Sequence, residues 1–258
     1  MTSLQIDRLC YGRAGQPLNQ PLTLRANPGE LWAVLGENGV GKSTLMHTLA
    51  GLIRPVAGQV SVDGVDIRRC PRKLLARRLG LVMQHSDLAF PYSVREMVSA
   101  GRYPHRPPWR GLREEDRQAV DQALEALALE PLAQRAIDQL SGGEQRRVAI
   151  ATILAQSPGV VLMDEPVQQL DVRHQIRLME HCRQLAGEQR LVMLSLHDVS
   201  LARQYADRLL LLYPDGAWEA GITGQLLTPS RLEHLYGVPL QASGQGEPFF
   251  RLPGKDGK

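Results

Sequence analysis

Residues 31–44 read LWAVLGENGVGKST. The first five are all apolar, and a short continuous apolar run is typical of a strand buried on both faces of a sheet. The rest fits the pattern Gly-x-x-x-x-Gly-Lys-Ser/Thr, in which a glycine-rich turn between a strand and a helix points backbone N–H groups at an anion. The stretch therefore predicts an α/β fold with a phosphate-binding loop (P-loop) at the end of a buried strand. It does not indicate what the phosphate compound is used for.

The residue types of the P-loop each have a physical role. Its glycines let the backbone turn around the phosphates, the helix N-terminus adds positive potential, and Lys42 supplies a point charge to the β- and γ-phosphates. The hydroxyl of Ser43 is a ligand that suits Mg²⁺. The residues predicted to bind a nucleoside triphosphate here are Gly36, Glu37, Asn38, Gly39, Val40, Gly41, Lys42, Ser43 and Thr44.

Segments on both sides of the P-loop extend the prediction of an α/β fold. Residues 160–163 and 191–194 are further continuous apolar runs, which predict more strands of a central parallel sheet. Residues 4–6, 22–24 and 59–62 are short apolar segments separated by turn signals, which predict antiparallel strands. Strands that alternate with helical patterns indicate an α/β architecture.

The composition changes near residue 84, and this change suggests how the chain is divided. Prolines at positions 104, 107 and 108 exclude a continuous helix there, whereas Val120, Ala123 and Leu124 have helical spacing. We predict four segments. They are residues 1–84, an antiparallel β subdomain and the first part of the P-loop core; 85–140, a helical subdomain; 141–243, the remainder of the core; and 244–258, a loose C-terminal tail. Phe249 and Phe250 in this tail are candidates for local docking.

Composition and charge narrow the class of protein. The apolar runs are far shorter than the ~18 residues of a membrane-spanning helix, and the N-terminus does not resemble a secretory signal, so we expect a cytoplasmic protein. Scattered cysteines fit a reducing compartment, and we assign them no function. The net charge is +3. Arginines crowd residues 68–78 and 102–117, and we expect these clusters to form solvated helix faces, with no nucleic-acid partner.

Two adjacent acids follow a predicted buried strand. Asp164 and Glu165 come directly after residues 160–163, and open α/β sheets bind ligands at the carboxyl ends of their strands. Asp164 suits a role in holding Mg²⁺ through water, and Glu165 suits a base that orients and deprotonates water at the γ-phosphate. Taken alone, the pair is better explained as an acidic turn after a strand; the P-loop upstream favours catalysis. His197, after the strand at 191–194, either contacts the γ-phosphate or is structural.

Residues 140–146, LSGGEQR, resemble the signature motif of the ATP-binding cassette (ABC) ATPases. Other motifs of that family have counterparts in the same order along the chain. The Ser-x-x-Glu pattern of residues 141–144 also predicts a capping box at a helix start. The resemblance implies a P-loop NTPase (RecA-like) core with an antiparallel β subdomain and an inserted α-helical subdomain, and hydrolysis of ATP with Mg²⁺. The matching positions are Tyr11, Gly36 to Thr44, Gln84, the signature, Asp164-Glu165, Leu170-Asp171 and His197.

The resemblance also implies a site shared between two protomers. In this family two domains meet head to tail and ATP lies between the P-loop of one and the signature motif of the other, so hydrolysis requires a homodimer. Ser141, Gly142 and Gly143 would then offer a hydroxyl and N–H groups to the γ-phosphate. Tyr11 would stack on adenine, with ordinary packing as the alternative, and Gln84 would sense Mg²⁺ and water. The metal-binding residues implied are Ser43, Gln84 and Asp164.

One loop departs from the family pattern. Where the family often has a Ser-Ala-Leu-Asp-like run after the catalytic glutamate, this chain has Gln168-Gln169-Leu170-Asp171, and Val167 replaces a common threonine. The resemblance places Asp171 among the nucleotide-binding residues, and Asp171 alternatively caps a helix that begins at Val172. The two glutamines leave open which contacts this loop makes across the dimer.

A longer stretch resembles one group of ABC transporters. Residues 94–105, VREMVSAGRYPH, together with 227–229 and 235–237, resemble importers of iron chelates, haem and cobalamin. The resemblance implies a homodimer that is peripheral at the cytoplasmic face of the inner (cell) membrane. It would work with two integral membrane permease subunits and, indirectly, with an extracytoplasmic substrate-binding protein. An iron–siderophore is the leading cargo, followed by cobalamin and haem. A soluble ABC ATPase without a transport role and an exporter ATPase stay as alternatives.

Overall fold

The computed structural model describes residues 2–13, 15–84, 92–107, 111–238, 241–242 and 248–249. Most of the predicted tail, including the side chains of Phe249 and Phe250, lies outside the described residues. The strands are β1 (Leu4–Cys10), β2 (Gly12–Arg13), β3 (Gln16–Pro17), β4 (Leu22–Ala26), β5 (Leu31–Leu35), β6 (Ala57–Val62), β7 (Val65–Asp66), β8 (Leu79–Val82), β9 (Val160–Met163), β10 (Leu191–Ser195), β11 (Arg208–Leu212), β12 (Trp218–Ile222), β13 (Gln241–Ala242) and β14 (Pro248–Phe249). The α-helices are α1 (Lys42–Leu49), α2 (Arg72–Arg78), α3 (Val94–Ala100), α4 (Glu114–Ala126), α5 (Gly142–Gln156), α6 (Val172–Gly187), α7 (Val199–Tyr205), α8 (Thr223–Leu226) and α9 (Pro229–Tyr236).

A six-stranded sheet lies at the centre, with the order β12-β11-β5-β10-β9-β8. Every neighbouring pair is parallel except β11 with β12. The strands β5, β9 and β10 are buried along their whole length, as their continuous apolar runs predicted. Because the strands are parallel, the carboxyl ends of β5, β8, β9 and β10 share one edge of the sheet, where such sheets bind ligands.

Hydrophobic cores cover both faces of this sheet. Successive side chains of a strand point to opposite faces, so Leu31, Ala33 and Leu35 join the core formed with the helices α3 to α7, whereas Trp32 and Val34 join the core formed with α1 and the second sheet. Both faces of β5 are therefore packed, and the loop that follows it is held from two sides.

The second sheet is four-stranded, with the order β4-β1-β6-β7, and its pairs are antiparallel. This confirms the antiparallel strands predicted near residues 4, 22 and 59. Asp63 and Gly64 connect β6 to β7 with φ values of 52° and 73°, the left-handed conformation that two-residue hairpin turns require.

The helices α3 and α4 lie in the predicted helical segment and pack against α5. Val120, Ala123 and Leu124 form the buried stripe of α4, as their spacing predicted. Because α5 begins after residue 140 and packs against α3 and α4, the helical layer continues past the boundary predicted there. The division of the chain into segments stays a prediction. None of the described helices has both the length and the apolarity needed to cross a membrane.

Candidate nucleotide-binding and catalytic site

The P-loop connects β5 to α1 in a conformation that only glycines allow at two points. Gly41, the N-cap of α1, has a φ of 107°, in the left-handed region. A Cβ on Gly36 would lie 2.6 Å from the carbonyl oxygen of Leu212, so a larger residue would collide with β11. The loop therefore lies where the sequence predicted it, between a buried strand and a helix N-terminus.

Lys42 is the buried cation of this loop, with an exposed fraction of 4%. Its ammonium group donates to the carbonyl oxygens of Gly36 at 2.7 Å and Glu37 at 3.0 Å. Burial lowers the pKa of Lys42, and the charges of Glu165 and Asp164 act in the opposite direction. A buried ammonium that has loop carbonyls as its hydrogen-bond partners is well placed to exchange them for phosphate oxygens.

The remaining P-loop residues surround this cation. Ser43 and Thr44 lie in the first turn of α1, where backbone N–H groups have no partner within the helix. Asn38 and Gly39 are exposed at the tip of the loop, and Val40 packs beside the core under the second sheet. The loop thus combines free N–H groups, a helix N-terminus and one ammonium group, which is the chemistry of a phosphate site.

Asp164 and Glu165 follow β9 at the same edge of the sheet. Asp164 is fully buried, and its Oδ1 accepts a hydrogen bond from the Ser195 hydroxyl at 2.6 Å. The same hydroxyl accepts from the backbone N–H of Glu165 at 2.8 Å. Ser195, at the end of β10, therefore fixes both acids. Its position at the end of a neighbouring buried strand was the available sequence signal, and the sequence analysis assigned it no role.

The carboxylate of Glu165 lies between two side chains that the sequence analysis had selected. Its Oε1 is 2.5 Å from Nε2 of His197, and its Oε2 accepts from Nε2 of Gln84 at 2.7 Å. The three residues follow the ends of β9, β10 and β8. Glu165 also has a φ of 47°, which is unusual outside glycine and is a form of backbone strain found at functional sites. The structure thus brings together Gln84, Glu165 and His197.

Arg146 is a further residue of this site that the sequence analysis quoted only as part of the signature. Its guanidinium donates to the carbonyl oxygens of Gln84 at 3.1 Å, Asp164 at 2.5 Å and Glu165 at 2.9 Å, and to that of Met83. Burial lowers its pKa, against the raising effect of the two acids. An arginine two residues inside a predicted helix gives no sequence signal of such contacts, because they reach across to two other strands.

Tyr11 lies beside the P-loop but does not present a ring face to a ligand in this structure. Its exposed fraction is 1%, and a Cβ added to Gly41 would lie 3.1 Å from its ring. Its backbone N–H donates to Oδ1 of Asn19 at 2.9 Å. The observed contacts are those of the packing alternative, and stacking on adenine would require the ring to turn out of the core.

The signature residues lie at the start of α5. Ser141 and Glu144 form the predicted capping box, with the backbone N–H of Ser141 donating to Glu144 at 2.8 Å. Ser141 and Gly142 are exposed, and Gly143 is partly buried. No hydrogen bond among the described residues joins this helix start to the P-loop. Within the described part of one chain, the two predicted halves of the nucleotide site are therefore not joined by a hydrogen bond.

Asp171 caps α6, as the structural alternative predicted. Its carboxylate accepts from the backbone N–H of His174 at 3.0 Å, and this hydrogen bond, with the one from the imidazole, lowers the pKa of Asp171. The carbonyl oxygen of Gln169 lies close to the signature, since a Cβ on Gly143 would be 3.0 Å from it. The loop 166–171 therefore lies between the catalytic acids and the signature helix.

The donor set fits a Mg²⁺ ion. Oδ2 of Asp164 is buried and has no hydrogen-bond partner among the described residues. An orphaned carboxylate oxygen is costly to bury, and a metal-bound water would satisfy it. Hydroxyl, amide and carboxylate oxygens, which Ser43, Gln84 and Asp164 supply, are the ligands that Mg²⁺ prefers.

Comparison with known proteins agrees with this geometry. The family model described as ABC transporter matches residues 19–168. The ferric enterobactin transport ATP-binding protein FepC of Escherichia coli (strain K12) is 36% identical over 236 residues, 91% of this chain and 87% of the relative. The hemin import ATP-binding protein HmuV of Gloeobacter violaceus is 42% identical over 233 residues, 87% of this chain and 84% of the relative.

A solved structure gives the same result for the fold. A metal-chelate type ABC transporter in an inward-facing conformation superposes with a TM-score of 0.80 at 30% identity, over 96% of each chain. The P-loop, the strand-end acids and the signature helix thus occur together in a chain that matches this family over nearly its full length. The chain belongs to the ABC transporter family, as one of its ATP-hydrolysing subunits.

Proposed function

We propose that this chain powers an importer of a metal chelate. Two copies form a homodimer at the cytoplasmic face of the inner membrane, bound to two integral membrane permease subunits, which receive cargo from an extracytoplasmic substrate-binding protein. The relatives named for ferric enterobactin and hemin, and the metal-chelate type transporter, support this class of cargo. An iron–siderophore is the first candidate, followed by cobalamin and haem.

The observation that supports ATP hydrolysis most directly is the convergence on Glu165. A carboxylate held at one oxygen by His197 and at the other by Gln84 is fixed in place at the carboxyl edge of the sheet. Lys42 begins the helix after β5, and the two acids follow β9 at the same edge of the sheet, so the phosphate loop and the acids form one site; the charges of Glu165 and Asp164 accordingly raise the pKa of Lys42 against the effect of its burial. Glu165 would take a proton from the attacking water, and Lys42 would stabilise the charge on the γ-phosphate.

Mg²⁺, when bound, would neutralise charge on the β- and γ-phosphate oxygens. Ser43, Gln84 and Asp164 would hold it, Asp164 through water. Ser195 keeps Asp164 oriented for this role by donating to its Oδ1, which leaves Oδ2 for the ligand. His197 would contact the γ-phosphate from the carboxyl end of β10, the strand between β5 and β9.

The exposed signature supports the homodimer. Ser141 and Gly142 are exposed at a helix N-terminus, where the hydroxyl and N–H of Ser141 donate to Glu144, and neither residue makes a hydrogen bond to the P-loop among the described residues. A second copy placed head to tail would bring this helix start to the γ-phosphate. The same arrangement would complete both sites at once.

An apolar groove beside Gln84 supports a partner protein. Met83, the residue before Gln84, is 41% exposed and lines a groove of about 350 Å³ together with Leu52, which is 56% exposed. Arg72 also lines this groove. A permease helix would pack against these exposed apolar side chains, and an acidic residue at its end would pair with Arg72. Because Met83 precedes Gln84, a change in the position of Gln84 would then be transmitted to the permease.

Purification of the tagged chain from its native membranes tests this function. We expect a many-helix permease to co-purify, and ATP hydrolysis of the complex to rise when the binding protein is added with a ferric siderophore, cobalamin or haem. The cargo is the compound that gives the rise. Recovery with soluble partners alone would favour a non-transport ATPase, and stimulation by a compound from the cytoplasmic side without a binding protein would favour an exporter.

A further inference from the structure

The side-chain amide of Gln84 makes two contacts. Its Nε2 donates to Oε2 of Glu165 at 2.7 Å and to Oε1 of Gln168 at 3.2 Å. A primary amide nitrogen has two hydrogens, so both bonds form at once and use all its donors. Gln84 is therefore held at Glu165 by a second side chain from the same loop.

The loop geometry explains why Gln168 reaches Gln84. Glu165 and Gln169 have φ values of 47° and 65°, and the backbone N–H of Gln168 donates to the carbonyl oxygen of Glu165 at 3.2 Å. This tight turn folds residue 168 back towards the acids. A serine, which the family often has here, ends at the γ position, two atoms short of the glutamine Oε1. The contact therefore needs a side chain longer than serine, with an acceptor at the ε position.

We propose that Gln168 is a positioning residue that holds Gln84 against Glu165 while the site is idle. Both oxygens of the Glu165 carboxylate then have a side-chain partner, Gln84 on one side and His197 on the other. A water that is to lose its proton to Oε2 must compete with the Gln84 amide. Turnover therefore requires the Gln84 amide to release Oε2 of Glu165, and the hydrogen bond to Gln168 makes that release less favourable.

This inference rests on the proposed role of Glu165 as the base, and the two fail in different ways. If Glu165 is not the base, Glu165→Gln keeps its turnover. If only the role of Gln168 is wrong, Glu165→Gln is inactive and Gln168 variants hydrolyse ATP at the rate of the unmodified chain.

The first variant is Gln168→Met, which keeps the length of the side chain and removes the acceptor. In steady-state ATP hydrolysis by the purified full-length chain we expect kcat to rise by about two- to tenfold, the range that one neutral hydrogen bond contributes to an equilibrium. The Kd for ATP, measured with a fluorescent analogue in EDTA, should not change. Gln168→Glu keeps the acceptor oxygens, and its kcat should stay at or below that of the unmodified chain.

Gln184→Met is the matched control. Gln184 is also an exposed glutamine with one side-chain partner, Glu188 at 3.1 Å, but it lies in α6 far along the chain from the acids. We expect its kcat to equal that of the unmodified chain. An equal rise in both variants would mean that the effect is not due to the Gln84 contact, and would overturn the proposal.

A double-mutant cycle tests whether Gln168 acts through Gln84. In a Gln84→Ala background, Gln168→Met should no longer alter kcat. A rise of the same size with and without Gln84 would overturn the proposal, as would a kcat for Gln168→Met that is unchanged or lower in the original background. Thermal unfolding of each variant identifies any change that comes from misfolding, and Gln168→Glu supplies the comparison if Gln168→Met is unstable.

Discussion

At the scale of single residues, the site is a set of side chains that fix one another. Ser195, Gln84 and His197 each hold an oxygen or N–H group of the two acids, and Arg146 holds the carbonyl oxygens of the loops that carry them. The contacts of Ser195, Gln84 and His197 each join the end of one strand to another, and those of Arg146 join α5 to two strand ends. Removing one member therefore affects the geometry of the rest, not only its own hydrogen bond.

Replacing Glu165 with glutamine tests the base directly. Glu165→Gln keeps the shape of the side chain but removes its ability to accept a proton, so we expect kcat to fall by about 10²- to 10⁴-fold, the usual contribution of a general base. ATP binding should persist, because Lys42 and the P-loop are unchanged. Steady-state hydrolysis and nucleotide-binding measurements check this, and unchanged turnover would remove Glu165 as the base.

Ser195→Ala tests the link between the acids. The change leaves Oδ1 of Asp164 and the N–H of Glu165 buried without their partner, so we expect the free energy of unfolding to fall by about 1–3 kcal/mol and kcat to fall as well. Denaturant unfolding and hydrolysis rates measure the two effects. Thr223→Ala, which removes a buried hydroxyl that donates to Ala206 at 2.7 Å, is the control and should lower stability while leaving kcat unchanged.

Which residues the sequence could predict depends on how local their signal is. Gly36 to Thr44 and Asp164-Glu165 lie in patterns whose chemistry is visible within a few residues, and the structure places them at one edge of the sheet. Ser195 and Arg146 act through contacts to other strands, which a single sequence does not reveal. Tyr11 fits the family pattern, yet its surroundings bury it.

At the scale of the elements, helix starts were predictable and helix contacts were not. The caps at Ser141 and Asp171 depend on residues three positions apart, so the sequence contains the whole signal.

The pair Arg102 and Asp116 joins α4 to the turn after α3, with 2.9 Å between Nε and Oδ1. Arg102 also donates to the carbonyl oxygen of Ala155 at 2.7 Å, so the pair ties three helices together.

Asp116→Asn should destabilise the protein at neutral pH. Asp116 is fully buried and the side chain of Arg102 is 9% exposed. Loss of the carboxylate leaves a buried guanidinium without its counter-ion, which costs about 3–5 kcal/mol in comparable buried pairs. Asp121→Asn is the control, because the side chains of its partner Arg95 and of Asp121 itself are 42% and 59% exposed, and such solvent-accessible pairs contribute about 0–1 kcal/mol. Denaturant unfolding of both variants measures the difference.

The same pair predicts a pH dependence. Burial alone would raise the pKa of Asp116, but the hydrogen bonds from Arg102 and Arg113 and their charges lower it overall. A folded pKa below the unfolded value of about 3.9 stabilises the fold fully above that value, and this stabilisation is lost as the pH falls through the folded pKa. The difference in unfolding free energy between the unmodified chain and Asp116→Asn should therefore stay constant from neutral pH down to about pH 5 and shrink below about pH 4. A difference that does not shrink in acid would contradict this assignment.

At the scale of the whole molecule, the sheets followed from hydrophobic patterning. The continuous apolar runs became strands buried on both faces, and the segments with turn signals became the antiparallel sheet. The boundary at residue 140 was harder to predict from patterning, because α5 continues the packing of α3 and α4 across it. Patterning predicts which face of an element is buried, whereas the partner of that face depends on the fold.

Mixed dimers test the arrangement of the complete site. In a head-to-tail dimer each site takes its P-loop from one protomer and its signature from the other. A dimer of a Lys42→Ala protomer with a Ser141→Arg protomer then has both defects in one site and leaves the other intact. A dimer of a doubly substituted protomer with an unmodified one has a defect in each site. We expect the first dimer to hydrolyse ATP and the second to be inactive, when each carries two different tags and is purified through both.

The opposite result would identify a site within one chain. If each protomer hydrolysed ATP with its own signature, the unmodified protomer of the second dimer would stay active and the first dimer would have no intact site. The Ser141 helix start argues for the shared site, since this exposed N-terminal turn makes no hydrogen bond to the P-loop among the described residues and its hydroxyl is held by Glu144 alone. The ratio of the two hydrolysis rates therefore decides whether the chain works as half of a dimer or alone.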